Sequence, residues 1–269
     1  MAKLPITEFL RSRRARIRPE DAGVLGYSGI RRVPGLRREE LAALAGISVD
    51  YYVRLEQGRN PNVSDAVLGA VATALRLDRE ERDHLFRLVR PSEVPHDARL
   101  HARPEVCGML DWITAPVLVL RPCLDIIAWN RPATDLIADF DSLEADSRNL
   151  ARLQLIDEDT SRRYPDRRHV AYEIAAQLRD ASSRHPADCH LSTLIHDLRS
   201  RSIEFAHQWE LYPVRRASNG AQRVEHPVHG ELALLYEIAL LPGDSGQMLM
   251  FYTAQPGSRE QHILRQIAG

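Results

Sequence analysis

Three groups of residues in the 269-residue sequence have types and spacings that could do chemistry. The first is Leu36–Asn60, LRREELAALAGISVDYYVRLEQGRN. On a helical projection its residues Val49, Asp50, Tyr51, Arg54 and Gln57 face outward, away from the apolar positions. The second is Arg148 and Arg152, one helical turn apart on one face. They could pair with a ligand carboxylate or bridge to neighbouring Asp and Glu side chains. The third is His185-Pro-Ala-Asp-Cys189-His190, with His196 beyond. It has metal-ligating residue types but neither a second cysteine pair nor an HExxH spacing, so no metal is expected. No GxSxG, P-loop or GxGxxG pattern occurs. The carboxylate runs Glu39-Glu40 and Asp157-Glu158-Asp159 belong at helix starts or in loops, where no catalytic role is needed. The chain reads as a non-enzyme without a resident cofactor.

The elements that would carry the first group can be placed from capping and periodicity. A helix over roughly Arg37 to Ala45 and another over Val49 to Gln57 are separated by Gly46, where a turn with positive φ is cheap only for glycine. Ala42 permits a close helix crossing. Ile47, Tyr52 and Leu55 would bury between the two helices, and Ser48 caps the second. This is helix-turn-helix geometry, in which the second helix presents its N-terminal turn to the DNA major groove. The alternative is an αα-hairpin that only packs. Three further helices surround the pair: about Ile6–Ile17, one after Ser64, and one after Asp78 with Glu81 completing a capping box and Leu85, Phe86, Leu88 and Val89 as its buried face. Gln57-Gly58-Arg59-Asn60 follows the outward-facing helix, and Arg31-Arg32 precedes the pair.

Charge separates the chain into unlike parts. Residues 1–90 carry 17 Lys+Arg against 12 Asp+Glu, whereas residues 91–269 carry 19 against 25. Only the first part is suited to a polyanion. The segment 91–104, rich in proline and without a period, reads as a linker between an all-helical domain, 1–90, and a mixed domain, 105–269. No apolar run is long enough for a membrane span, and the N-terminus lacks a secretory signal. Three widely spaced cysteines, Cys107, Cys123 and Cys189, argue against a disulfide framework. A cytoplasmic protein is expected.

In the second domain, strands are expected at VLVL (117–120), CLDIIAWN (123–130), about Phe205–Val214, Glu231–Leu240 and Met248–Ala254. Helices are expected after Glu105 and at Pro132–Phe140, Asn149–Ile156, Asp166–Arg184, Leu191–Ser200 and Arg259–Ile267. A five-stranded antiparallel sheet with helices on one side accommodates them, an α+β arrangement able to enclose a small molecule. Trp129, Phe205, Trp209, Leu211, Leu234, Tyr236 and Met250 would line such a pocket, with Arg148 and Arg152 nearby. The competing reading for each is ordinary core packing.

Leu36–Asn60 resembles the phage-repressor-type (XRE family) helix-turn-helix. The longer run 31–59 resembles the actinobacterial MmyB-like transcription regulators. The resemblance continues in DIIAWN (125–130), RNLAR (148–152), SIEFAHQW (202–209), HPVHGELALLY (226–236) and LPGDSGQMLMFYTAQPGS (241–258), departing at His207-Gln208-Trp209. It implies a PAS-like second domain and a fatty-acid-like ligand. By the family's pattern Val49, Asp50, Tyr51 and Arg54 would face base edges, with Arg able to grip guanine and Asp to accept from cytosine. Arg37, Arg38, Gln57, Arg59 and Asn60 would contact phosphates, and Arg31 and Arg32 could add backbone or minor-groove contacts. The expected partners are a double-stranded DNA operator, a small apolar or acidic ligand and a second copy of the chain in a homodimer. A DNA-binding interaction protein, whose second domain holds a protein partner, is the alternative.

Overall fold

A computed structural model describes residues 5–23, 35–59, 63–90, 101–185, 188–214, 218–242 and 246–268. The chain divides into two compact units, 1–93 and 94–269.

The first unit holds helices α1 (Pro5–Arg16), α2 (Arg38–Leu44), α3 (Val49–Glu56), α4 (Asp65–Ala74) and α5 (Arg79–Val89). Their starts are set by side chains that accept otherwise unpartnered N–H groups. Ser48 Oγ accepts from the Tyr51 N–H at 3.2 Å and Ser64 Oγ from Val67 at 3.3 Å. Asp78 and Glu81 form a reciprocal capping box at 2.8 and 3.3 Å. Between α2 and α3 the chain turns at Gly46, with φ +66°. Phe9, Leu10, Leu41, Ala42, Tyr52, Leu55, Leu68, Val71 and Leu85 form the buried interior. Two details depart from the sequence expectation. Ile47 is only half-buried at the turn, and on α5 the fully buried pair is His84 and Leu85, with Phe86, Leu88 and Val89 half-buried. His84 stands edge-on to Phe9, ring centroids 5.1 Å apart, so an aromatic contact takes a place that an aliphatic stripe was expected to fill.

The second unit opens with α6 (Pro104–Leu110), then β1 (Val117–Leu120), β2 (Ile126–Trp129), α7 (Arg131–Leu136), α8 (Leu150–Leu155), α9 (Arg167–Arg184), α10 (Cys189–Arg201), α11 (Ile203–Glu210), β3 (Asn219–His226), β4 (Gly230–Leu240), β5 (Met248–Thr253) and α12 (Arg259–Ala268). The strands make one antiparallel sheet in the order β2-β1-β5-β4-β3. Over Gln222–His226 of β3 and Glu231–Glu237 of β4 burial alternates residue by residue. Gln222, Val224, Leu232, Leu234 and Tyr236 are buried, whereas Arg223, Glu225, Glu231 and Glu237 are exposed. All four residues of β1 are buried because both of its faces are covered. Leu118 and Leu120 join the core beneath α7–α12, and Val117 and Val119 pack on the other face with Val106 and Leu110 of α6. The helices therefore lie on both faces of the sheet, not on one.

The expected strand over Phe205–Val214 is helix α11. Ser202 Oγ caps it by accepting from the Phe205 N–H at 3.2 Å, and Phe205 stacks on Trp209 one turn later, centroids 5.6 Å apart. A strand would have put Phe205, His207, Trp209 and Leu211 on one face, yet His207 and Leu211 are exposed. The fifth strand is instead the edge strand β3, whose inward positions include Gln222 and His226, so it lacks the apolar run that marks the other strands.

Candidate nucleic-acid interface and ligand domain

Helix α3 is anchored from below. Tyr52 and Leu55 are buried, and the Glu56 carboxylate, also buried, accepts from Arg38 Nε at 2.5 Å and pairs with Arg14 at 3.4 Å. Thr7 Oγ1 donates to the Glu56 carbonyl oxygen at 2.6 Å, so the end of α3 is tied to both α1 and α2. The hydrogen bond to Glu56 and its charge raise the Arg38 guanidinium above its ordinary value. Burial, with the Glu56 charge beside it, raises the Tyr52 phenol, which stays neutral. With the inner face fixed, Val49, Asp50 and Arg54 stand exposed and Tyr51 half-exposed on the outer face.

The residues expected near phosphates lie at the start of α2 and the end of α3. Arg38 and Arg59 are exposed, and Arg37 and Gln57 are half-buried at the N-cap of α2 and the C-cap of α3. Arg31, Arg32 and Asn60 lie outside the described residues. Sequence reasoning missed the surroundings of Glu56. Thr7, Arg11, Arg14, Arg37, Arg38, Glu39 and Glu56 line an open basin of about 530 Å³, with four guanidinium groups against two carboxylates. Arg11 and Arg14 escaped notice because they sit on α1, remote in sequence from the helix pair.

In the second unit Phe205, Trp209, Leu234, Tyr236 and Met250 belong to one contiguous core, and Trp129 packs against its edge, 5.2 Å from the Phe140 ring. Tyr236 Oη donates to the buried Glu173 carboxylate at 2.7 Å. Leu211, expected in the pocket, is 48% exposed at the end of α11, a consequence of the helix replacing the strand. The two arginines do not share a helical face, because Arg148 lies before the α8 N-cap Asn149, and both are engaged inside the domain. Arg152 pairs with Asp197, while Arg148 donates through Nε to the Phe140 carbonyl at 2.8 Å and lies over Trp129 at 5.2 Å. Arg179, buried beneath α11, lies 3.6 Å over the Trp209 ring and 3.9 Å over Tyr212.

Two open cavities lie elsewhere in this unit. One of about 330 Å³ is lined by Thr114, Ala115, Tyr252, Thr253, Ala254, Gln261, Leu264 and Arg265, where the end of β5 meets α12. The other, about 650 Å³, is lined by Arg131, Pro132, Asp135, His226, Pro227, Val228, His229, Gln266 and Ile267. In its wall His226 Nε2 lies 3.1 Å from the Asp135 carbonyl oxygen, and Nδ1 accepts N–H groups of Val228 and His229 at 3.1 and 3.2 Å. That arrangement suits the neutral ring protonated at Nε2. Burial lowers the His226 pKa, and the charges of Arg163 and His229 lower it further against the Asp135 carbonyl.

A helix pair with an open polar face and a separate α+β unit with cavities of ligand size define a DNA-binding transcription regulator with a ligand-binding domain. Residues 6–85 match the family model of a helix-turn-helix domain, and residues 102–267 match that of the MmyB-like transcription regulator ligand binding domain. By the extent of the second match the chain belongs to the MmyB-like transcription regulator family. No curated protein sequence gave a match. No helix among the described residues is long and apolar enough to cross a membrane.

Proposed function

We propose that this regulator recognises a specific duplex operator with Val49, Asp50, Tyr51 and Arg54 of α3, and that a small apolar acid held by the second unit changes its DNA affinity. The observation that carries the first half is the two-sidedness of α3, with Tyr52, Leu55 and Glu56 buried and Val49, Asp50 and Arg54 exposed. A helix fixed in this way offers donors and acceptors to base edges at little cost in side-chain ordering elsewhere. Arg37, Arg38, Gln57 and Arg59 serve the phosphates, with Arg11 and Arg14 adding positive charge. One helix-turn-helix reads one half-site, so a cytoplasmic homodimer on a near-palindromic operator is the working form.

For the ligand, the 330 Å³ cavity is the best-supported place, because Ala254 and Leu264 give it an apolar wall and Arg265 a cation for a carboxylate. A fatty acid, which the family resemblance implies, has that chemistry. The alternative, a protein partner on the second unit, draws on Trp112, 88% exposed. In the deciding experiment the full-length protein is used to select duplexes from a random library, and binding is then titrated with and without saturated carboxylic acids. Selection of one motif, with affinity altered by the acids, supports the proposal. Equal binding to all duplexes overturns its first half, and indifference to every acid overturns its second.

A further inference from the structure

Around position 190 the sequence has metal-ligating residue types without a metal-binding spacing, but the fold brings two more, from 65 and 67 positions earlier, to His190. The β1–β2 turn, Arg121-Pro-Cys-Leu-Asp125, reverses at Leu124 with φ +67°. This brings Cys123 Sγ to 2.9 Å from Asp125 Oδ2, as its hydrogen-bond donor. Helix α10 then sets His190 in its first turn, where Asp188 caps the helix by accepting from the Leu191 N–H at 3.0 Å. His190 Nε2 lies 3.2 Å from the same Asp125 oxygen. The thiol, the carboxylate oxygen and the imidazole nitrogen all fall within 4.8 Å of one another. Bonds of about 2.0 Å to nitrogen and oxygen and about 2.3 Å to sulfur, at tetrahedral angles, put zinc ligands roughly 3.3–3.6 Å apart. The three atoms are within small side-chain rotations of that triangle.

We propose that Cys123, Asp125 and His190 form a binding site for a borderline-soft divalent cation, zinc(II) foremost, with water completing the tetrahedron. The ligand set decides the class of metal. A thiolate with an imidazole suits zinc, whereas calcium and magnesium take oxygen ligands. The surroundings also match what a ligand carboxylate requires. Asn149 Nδ2 donates to Asp125 Oδ1 at 2.8 Å and to the Cys123 carbonyl at 2.9 Å, and Arg121 donates to Asp125 Oδ2 at 2.9 Å. Such outer hydrogen bonds hold a first-sphere group in one orientation. Cys123 is buried while the His190 side chain is 54% exposed, so the fourth position opens to solvent. On uptake the Sγ–H bond breaks, its proton leaves to water, and the sulfur lone pair bonds the metal. The ion would staple the sheet hairpin to α10. The site shares no residue with the 330 Å³ cavity or with α3, so it stands whether or not the ligand proposal does.

The test is titration of chelator-stripped full-length protein with cobalt(II), read by thiolate-to-cobalt charge-transfer absorption, followed by displacement with zinc(II). One equivalent with a charge-transfer band is expected. Cys123→Ser, whose hydroxyl keeps the hydrogen bond to Asp125, should abolish the band. His190→Ala should weaken binding at least as much as the about 10–100-fold that outer-sphere changes cost. Cys107→Ser should change neither. Wild-type protein without the band, or a band that survives in folded Cys123→Ser, overturns the proposal. If Cys123→Ser fails a circular-dichroism check of folding, the half-exposed His190 decides, and undiminished affinity in His190→Ala overturns it equally.

Discussion

Helices α3 and α11 are built alike and used in opposite ways. Each has eight residues and a serine N-cap whose hydroxyl accepts from the third residue of the helix. In α11 the aromatic pair Phe205 and Trp209 turns inward, and Arg179 covers Trp209 from within the domain, so its chemistry is spent on packing. In α3 the inward positions hold Tyr52, Leu55 and Glu56, and the buried carboxylate gathers arginines from α1 and α2. The outward positions are thereby relieved of any structural duty. A capped helix start is available to read DNA, as proposed for α3, only when the fold anchors it without its outer side chains.

If that contrast is right, damage to the two helices should appear in different measurements. Phe205→Ala is expected to cost about 3–5 kcal/mol, seen as an earlier denaturant midpoint for the second unit, with duplex affinity unchanged. A shared loss in both units would show that they do not unfold separately. Next in size is the ligand effect. A carboxylic acid at a hundredfold excess over its dissociation constant should stabilise the second unit by about 2.7 kcal/mol. Ala115→Phe, which intrudes on the 330 Å³ cavity, should remove that gain in a thermal melt. Arg54→Ala is the counterpart on α3. It should leave the melt unchanged and cost about 1–3 kcal/mol against the selected duplex, relaxing preference at one base pair. Unaltered discrimination in a competition titration would remove Arg54 from the reading set. Arg59→Ala should weaken all duplexes alike and lower the slope of log affinity against log salt by about one.

The smallest effect concerns pH. Burial holds the folded-state pKa of His226 below its ordinary value. On acidification the unfolded chain therefore takes the proton first, and the second unit loses stability as pH falls below about 6.5 toward the folded value. His226→Gln should flatten this part of a plot of melting temperature against pH. An identical slope in the variant would assign the acid sensitivity to other groups.

How far the sequence could be read follows from where the determining contacts lie. In the first unit they are local. Ser48, Ser64 and the Asp78–Glu81 pair cap helices within three residues, and Gly46 marks its own turn, so all five helices were legible. The anchor at Glu56 was not, because its partners Arg14 and Arg38 stand 42 and 18 positions away. In the second unit the apolar strands announced themselves, but β3 buries Gln222 and His226 and so lacks the expected signature. The apolar density of 202–211 suits a buried strand as well as a buried helix, and only Ser202 signalled the latter. Convergence of Cys123, Asp125 and His190 depends on how a turn meets a helix, which no spacing rule reports.

The strand order also has a temporal side. β1 lies between β2 and β5, with Leu120 opposite Met248, about 130 residues later. During synthesis the helices of residues 5–90, whose packing partners all lie within that stretch, can assemble while strand β1 still waits for β5 to leave the ribosome. A chain halted before β5 would carry a finished helix-turn-helix unit without a finished ligand-binding domain. Under the function proposed above, such a fragment would bind DNA without answering a ligand, which makes survival of the unfinished sheet, and its clearance by proteases, part of how faithfully that response is delivered.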